Sequence, residues 1–259
     1  MERAIRLQAV RNLRHLGGWP AGDGRRVGWG RLFRSGSLED MTDADRSALE
    51  GLGVRTVIDL RSQFEQRRKP YEWAVGRKVA APLANDDSVA GIFARFQHGT
   101  LSPHDVENWW QLTGVFDCPE QHQESLRTVF ASLLEASPAE GVLFHCTGGK
   151  DRAGVAAALV LEALGVTRPA VLEDFLLSNV GAEARAAEFI EWTKQATGWA
   201  MSPEVAYWLA AVKGEWMETL LGGLADRYGS VEGYLRQALG VGLGELAALR
   251  AKYLEAAEG

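Results

Sequence analysis

The sequence predicts an α/β fold: a central, mostly parallel sheet flanked by helices, with a helical insertion and a helical C-terminal layer. Three observations carry that expectation. The runs "VRTVIDL" and "GVLFH" are short, rich in β-branched and aromatic residues, and bounded by glycine and polar residues, the pattern of buried parallel strands. Helical patterns alternate with these strands in the first two thirds of the chain. Beyond Gly165 only helical patterns remain.

Each element has its own signal. Residues 31–36, "RLFRSG", read as a short strand. Thr42 then caps a helix running to about Leu52, with Asp43 and Asp45 in the first turn, where the helix dipole favours carboxylates. "GVRTVIDLRS" supplies the next strand and "KVAAPLA" a weaker third. Residues 85–120 mix turn residues with short amphipathic pieces and are expected to form helical excursions outside the sheet, a possible lid. A helix is expected over about 121–135. "GVLFHC" is a central strand, followed by a helix over about 152–164 that Gly165 stops. Pro169, Gly181, Pro203 and Ser230 mark four further helix starts, and "LGELAALRAKYLEA" is expected to close the chain as a helix. At 259 residues, one domain over 1–259 accommodates all of these.

Bulk properties narrow the function. A net charge of −6 argues against general nucleic-acid binding. It leaves room for an anionic substrate, because residues 61–78 hold six basic side chains (Arg61, Arg67, Arg68, Lys69, Arg77 and Lys78) against Glu65 and Glu72. Cys118 and Cys146 are the chain's two cysteines, too few for a disulfide framework or a four-cysteine zinc site. No apolar run is long enough to span a bilayer, and the N-terminal residues lack a signal-peptide pattern. The default location is cytoplasmic, with export lacking a cleaved signal left open.

The chemistry concentrates in "VLFHCTGGKDRAGVAAALVLEAL", residues 142–164. A strand delivers Cys146. The five residues Thr147, Gly148, Gly149, Lys150 and Asp151 turn the chain, and Arg152 opens a helix. Such a loop can point several N–H groups inward as an anion nest, closed by the positive end of the helix, and a tetrahedral oxyanion fits it. Inward N–H groups, Lys150 and Arg152 favour the thiolate of Cys146, a ready nucleophile. The planar fork of Arg152 suits two phosphate oxygens. Asp151 is the nearest group able to protonate a leaving oxygen and then activate water. No metal or cofactor is required. The nucleotide-binding pattern Gly-x4-Gly-Lys-Ser/Thr is absent, since Asp151 stands where the hydroxyl would be.

"HCTGGKDRAG" resembles the signature HCxxGKDR[T/S]G of an atypical bacterial tyrosine phosphatase family, of the protein tyrosine phosphatase B-like type. "RNLRHLGG", "RLFRSGSLEDMTDAD", "VRTVIDLRS", "DFLLSN" and "GSVEGYLRQALG" resemble further family segments in the expected order, so the likeness covers most of the chain. The resemblance implies a cysteine-phosphatase fold. It implies Cys146 as nucleophile, Arg152 as phosphate ligand and Asp151 as acid. Thr147, Gly148, Gly149, Lys150, Ala153 and Gly154 complete the phosphate-binding loop, and Lys150 is associated with acidic substrates. Phosphotyrosine proteins are the first expected substrate and phosphoinositides the second. Asp59 and Arg61 match positions near the family's pocket, and residues 85–120 fall where a helical lid can occur. Two departures stand out. Ala153 replaces a Thr or Ser whose hydroxyl would help the thiolate leave the phosphocysteine, and His15 replaces an acidic residue.

Plainer roles compete at several positions. A cysteine outside a motif, such as Cys118, is most often structural. His145 is expected to orient the loop through buried hydrogen bonds. Asp59 and Arg61 could be an ordinary strand-end pair, and Arg67, Arg68 and Lys69 a solvated face. Trp109, Trp110, Trp192, Trp199, Trp208 and Trp216 are expected to pack rather than bind. Two other functions use the same features. Ala153 would suit a pseudophosphatase that binds phosphorylated ligands without turnover. A rhodanese-like sulfur transferase also places a cysteine in an anion-cradling loop, although the Lys150–Asp151 pair and the long helical C-terminus argue against it.

Overall fold

The computed structural model describes residues 2–100, 102, 104 and 119–257. Its centre is a five-stranded sheet of β1 (Arg14–His15), β3 (Leu32–Ser35), β4 (Val54–Asp59), β5 (Arg77–Ala80) and β6 (Gly141–His145), in the order β1-β3-β6-β4-β5. β1 is antiparallel to β3, and every other pairing is parallel. The expected class is therefore observed. The two strands most legible in the sequence, β4 and β6, are central neighbours. β6 is buried along its whole length and β4 along all but Arg55, which explains their lack of alternation.

Register positions the site. Ser35 pairs with His145, and His145 with Asp59, so β3, β6 and β4 end level with one another. The chain leaves β6 at this carboxyl edge, where parallel α/β sheets bind ligands, and enters α5 (Asp151–Ala163). Ten of the thirteen α5 residues are buried, because helices surround it as well as the sheet. They are α4 (Gln123–Glu135), α6 (Arg168–Leu176), α10 (Val231–Gln237) and α11 (Leu243–Tyr253). That burial accounts for the nearly continuous apolar run of α5.

Around this core lie α1 (Asp43–Gly51), α2 (Gln63–Arg68), α3 (Asp86–Gln97), α7 (Ala182–Thr197), α8 (Pro203–Ala210) and α9 (Gly214–Tyr228). Thr42 caps α1 as expected, with Asp45 closing a capping box, and Ser62 with Glu65 does the same for α2. α3 confirms a helix in the 85–120 region. Trp109, Trp110 and Cys118 lie outside the described residues, as does most of the proposed lid.

One expectation is corrected. The chain does not close as a helix: α11 stops at Tyr253, and β7 (Leu254–Ala256) pairs antiparallel with β2 (Arg25–Val27) in a second, two-stranded sheet. Three residues are too short a run to show period-two alternation, and β2 supplies the hydrogen bonds that convert them. Trp216 packs in the core as expected, whereas Trp192 is about half exposed and stacks on Phe96 of α3 at 5.2 Å. His15 is buried between Trp29 and Phe33, and burial holds its imidazole pKa below the usual value.

Candidate active site

Residues 146–150 form the loop from β6 into α5, and its backbone is turned by its surroundings. The Ser37 N–H donates to the Thr147 carbonyl at 3.0 Å. Asn12 Nδ2 donates to the carbonyls of Gly148 (3.1 Å) and Gly149 (3.0 Å). Arg34 Nη2 donates to those of Gly149 (3.0 Å) and Lys150 (2.9 Å). Four consecutive carbonyls are thus drawn to the outer side of the loop. No cis peptide occurs among the described residues, and a trans peptide sets each carbonyl opposite the N–H of the next residue. The N–H groups of Gly148, Gly149, Lys150 and Asp151 therefore turn the other way, into an anion cradle. The N-cap of α5, Lys150, makes no side-chain cap bond, so the positive end of that helix adds to the cradle.

Gly149 is the glycine the turn requires. Its φ is +68°, and an added Cβ would lie 2.4 Å from the Ser35 carbonyl carbon. Gly148 does not share the constraint: its φ is not positive, and a Cβ there would meet nothing closer than Lys150 Cγ at 3.5 Å. Asn12 itself adopts φ +56°, which few side-chain-bearing residues tolerate, and from there its amide reaches the two glycine carbonyls.

Cys146 is buried at the base of the loop. Arg152 is held by Glu65 of α2, with Nη1 at 2.5 Å from Oε2 and Nη2 at 3.0 Å from Oε1. Glu65 also accepts from the Thr147 hydroxyl and from the Ser62 N–H. Burial disfavours the carboxylate, but the Arg152 charge and the hydrogen bonds from Arg152, Thr147 and Ser62 together outweigh it and lower the Glu65 pKa to about 2. Glu65 in turn raises that of Arg152 against the opposing effect of burial. The guanidinium is thereby fixed in orientation before any anion arrives.

Lys150 lies against Asp151. Its ammonium lies 3.0 Å and 2.9 Å from the two carboxylate oxygens of Asp151 and 3.1 Å from the Ala211 carbonyl. These three acceptors match its three donors, so in this arrangement it serves Asp151 rather than a second phosphate. The basic segment is similarly engaged. Arg67 pairs with Asp86, Lys69 with Glu39 and Asp40, and Arg77 with Glu135, while Arg68 lies over the Phe93 ring.

Beneath the loop are two buried networks. In one, Arg34 donates to Asp174 at 2.6 Å, and Ser178 Oγ accepts from both Arg34 and Arg14. Burial first, and the neighbouring Arg34 charge second, lower the Arg14 pKa to about 9. In the other, Tyr71 Oη and His145 Nε2 are 2.6 Å apart, and His145 Nδ1 lies 3.2 Å from the Cys146 carbonyl. Burial holds the His145 pKa below the usual value. A neutral ring whose Nδ1–H donates to Cys146 and whose Nε2 accepts from Tyr71 satisfies both contacts, an assignment made from the network. Asp59 and Arg61 form a buried pair at 2.8 Å that Glu39 extends. They support His145 and Tyr71 from within instead of lining the cradle. Ala153 is fully buried. A Cβ on Gly154 would come within 2.7 Å of the Phe175 ring and 3.0 Å of Arg34, so glycine lets α6 and Arg34 approach the loop.

Sequence reasoning missed Glu65, Arg34, Asp174, Ser178 and Asn12. Glu65 had a signal, the capping box with Ser62, but that motif explains a helix start and says nothing of Arg152. Arg34 and Asp174 sit in an expected strand and an expected helix, whose patterns name no partner in the loop, and Asn12 and Ser178 in segments noted only by resemblance. His122 was also missed: it is buried beside the site, and burial and the Arg152 charge lower its pKa.

The sequence as a whole is similar to those of known phosphatases. A sequence model described as the tyrosine phosphatase family matches residues 5–255. A Cupriavidus necator protein named, provisionally, as a tyrosine-protein phosphatase is 34% identical over 256 residues, covering 96% of this chain and 88% of that one. The Mycobacterium tuberculosis triple specificity protein phosphatase PtpB is 31% identical over 239 residues, covering 81% and 86%. A tyrosine-protein phosphatase of Nostoc commune is 28% identical over 238 residues, covering 85% and 73%.

Proposed function

From the premise that this chain belongs to the tyrosine phosphatase family and is a cysteine-dependent protein-tyrosine phosphatase, we propose a residue-level mechanism. Cys146 Sγ attacks the phosphorus of a phosphomonoester. An S–P bond forms as the ester P–O bond breaks, and Asp151 delivers a proton to the departing oxygen. The Asp151 carboxylate then takes a proton from water, which attacks the phosphocysteine. The S–P bond breaks, returning the thiolate and releasing inorganic phosphate. The cradle N–H groups and Arg152 hold the non-bridging oxygens through both steps. His145 stays neutral and holds the Cys146 carbonyl.

The observation that best supports this reading is the outward anchoring of four consecutive loop carbonyls by Ser37, Asn12 and Arg34. It creates a ring of donors around one buried thiol, with Arg152 held beside it by Glu65. A phosphotyrosine side chain is the first substrate. Phosphoinositides are a second reading, and the Mycobacterium tuberculosis relative is named for a triple specificity. The engaged state of Lys150 favours esters with one phosphate over those that need a second anchoring cation. Cys146→Ser is expected to abolish p-nitrophenyl phosphate hydrolysis; retention of full turnover in that variant would refute the nucleophile.

A further inference from the structure

We propose that Asn179 is a positioning residue for the proton-transfer step, acting on Asp151 through Val212, Ala211 and Lys150. The proposal rests on reading Asp151 as the acid.

The chain of contacts is continuous. Asn179 Nδ2 donates to the Val212 carbonyl at 3.0 Å, and the Val212 N–H donates to Asn179 Oδ1 at 2.8 Å. This two-point grip fixes the two peptide units that flank Val212 across a separation of 33 residues, and the Ala211 carbonyl belongs to the first of them. The preceding peptide is also committed. Arg185 Nη2 donates to the Ala210 carbonyl at 3.0 Å, and the Ala211 N–H donates to the Tyr207 carbonyl at 2.8 Å. With its neighbours held, the Ala211 carbonyl is left aimed at the Lys150 ammonium, 3.1 Å away. That ammonium spends its other donors on both oxygens of Asp151. Ala210, Ala211 and Val212 are all buried, so water does not substitute for a lost contact.

The same short turn acts on the loop from below. Ser178, next to Asn179, accepts from Arg34, which holds the Lys150 carbonyl. Lys150 is consequently gripped at its main chain by Arg34 and at its side chain by Ala211, both referenced to residues 178–179. A carboxylic acid must sit within hydrogen-bond reach of the leaving oxygen to protonate it. Misplacement of a reacting group by about 1 Å costs on the order of 10²-fold in rate. Releasing the Val212 peptide frees Ala211, then Lys150, then Asp151.

The test separates positioning from general damage through the leaving group. 2,4-Dinitrophenolate departs without a proton, whereas phenolate needs one. kcat/KM is measured for 2,4-dinitrophenyl phosphate and phenyl phosphate with wild type, Asn179→Ala, Asp151→Asn and the double variant. We expect Asn179→Ala to lose about tenfold more on phenyl phosphate than on the dinitrophenyl ester. In the Asp151→Asn background it should add no further selectivity, because the group it positions is gone. Equal losses on both esters, or additive selectivity in the double variant, overturn the proposal. If Asp151→Asn shows no leaving-group dependence, the acid assignment fails, and this inference with it. Should Asn179→Ala not fold, Asn179→Asp keeps an acceptor for the Val212 N–H but replaces the donor to the Val212 carbonyl with a charged oxygen that repels it, loosening the same turn. The same selective loss is expected there, and equal losses again overturn the proposal.

Discussion

Glu65 shows how one side chain can serve structure and chemistry together. It closes the α2 capping box, accepts from Thr147 and orients Arg152. A buried guanidinium without its carboxylate is costly and free to turn. Glu65→Gln keeps one acceptor and loses the charge. We expect it to lower kcat/KM on aryl phosphates by about 10²-fold, through looser positioning of Arg152; steady-state kinetics measures this. The depressed Glu65 pKa also has a stability consequence. The unfolded chain binds this proton more readily, so the contribution is complete above the ordinary carboxylate range. It is lost as pH falls from about 4.5 toward about 2. Denaturation of wild type and Glu65→Gln across that window should give a stability difference that narrows with acid. A difference independent of pH would show that Glu65 does not carry it.

At the level of elements, the loop is held by the ends of its neighbours. The tip of β3 approaches so closely that only glycine fits at 149. Gly149→Ala is expected to cost at least about 10²-fold in activity by displacing the cradle N–H groups, while far-UV circular dichroism stays native, because the helices do not depend on this turn. The support from α6 is different in kind. Asp174 is buried with Arg34 and lies 3.5 Å from Arg14. Removing the carboxylate leaves two buried cations facing each other, and Arg34 also holds two loop carbonyls. Asp174→Ala should therefore destabilise the fold by about 3–5 kcal/mol in chemical denaturation and lose phosphatase activity under conditions where it remains folded.

For the molecule as a whole, what the sequence reveals follows the range of the interactions. β4, β6 and α5 are legible because burial on all sides writes itself locally as continuous apolar runs. The α1 and α2 caps are legible because Thr42–Asp45 and Ser62–Glu65 interact within one turn. Cys146, Asp151 and Arg152 stand out because an anion loop between strand and helix compresses its chemistry into seven residues. β2 and β7 are invisible because their pairing joins residues near the two ends of the described chain, and neither strand carries a pattern alone. Glu65 and Asp174 are invisible for the same reason: each meets its partner only after folding, and each has an unremarkable local role. Lys150 is legible as a charge beside the anion loop, but its contacts with Asp151 and the Ala211 carbonyl are not, because Ala211 is far away in the chain.

If Cys146 carries the phosphoryl group and Ala153 leaves its hydrolysis slow, both show in rapid-quench kinetics with an aryl phosphate and in mass spectrometry of the quenched protein. We expect a burst of aryl alcohol approaching one equivalent per enzyme, a phosphoryl group on the peptide containing Cys146, and a smaller burst with faster turnover in Ala153→Ser. Hydrolysis with no burst and no phosphorylated cysteine at any quench time, together with activity in Cys146→Ser, would contradict both.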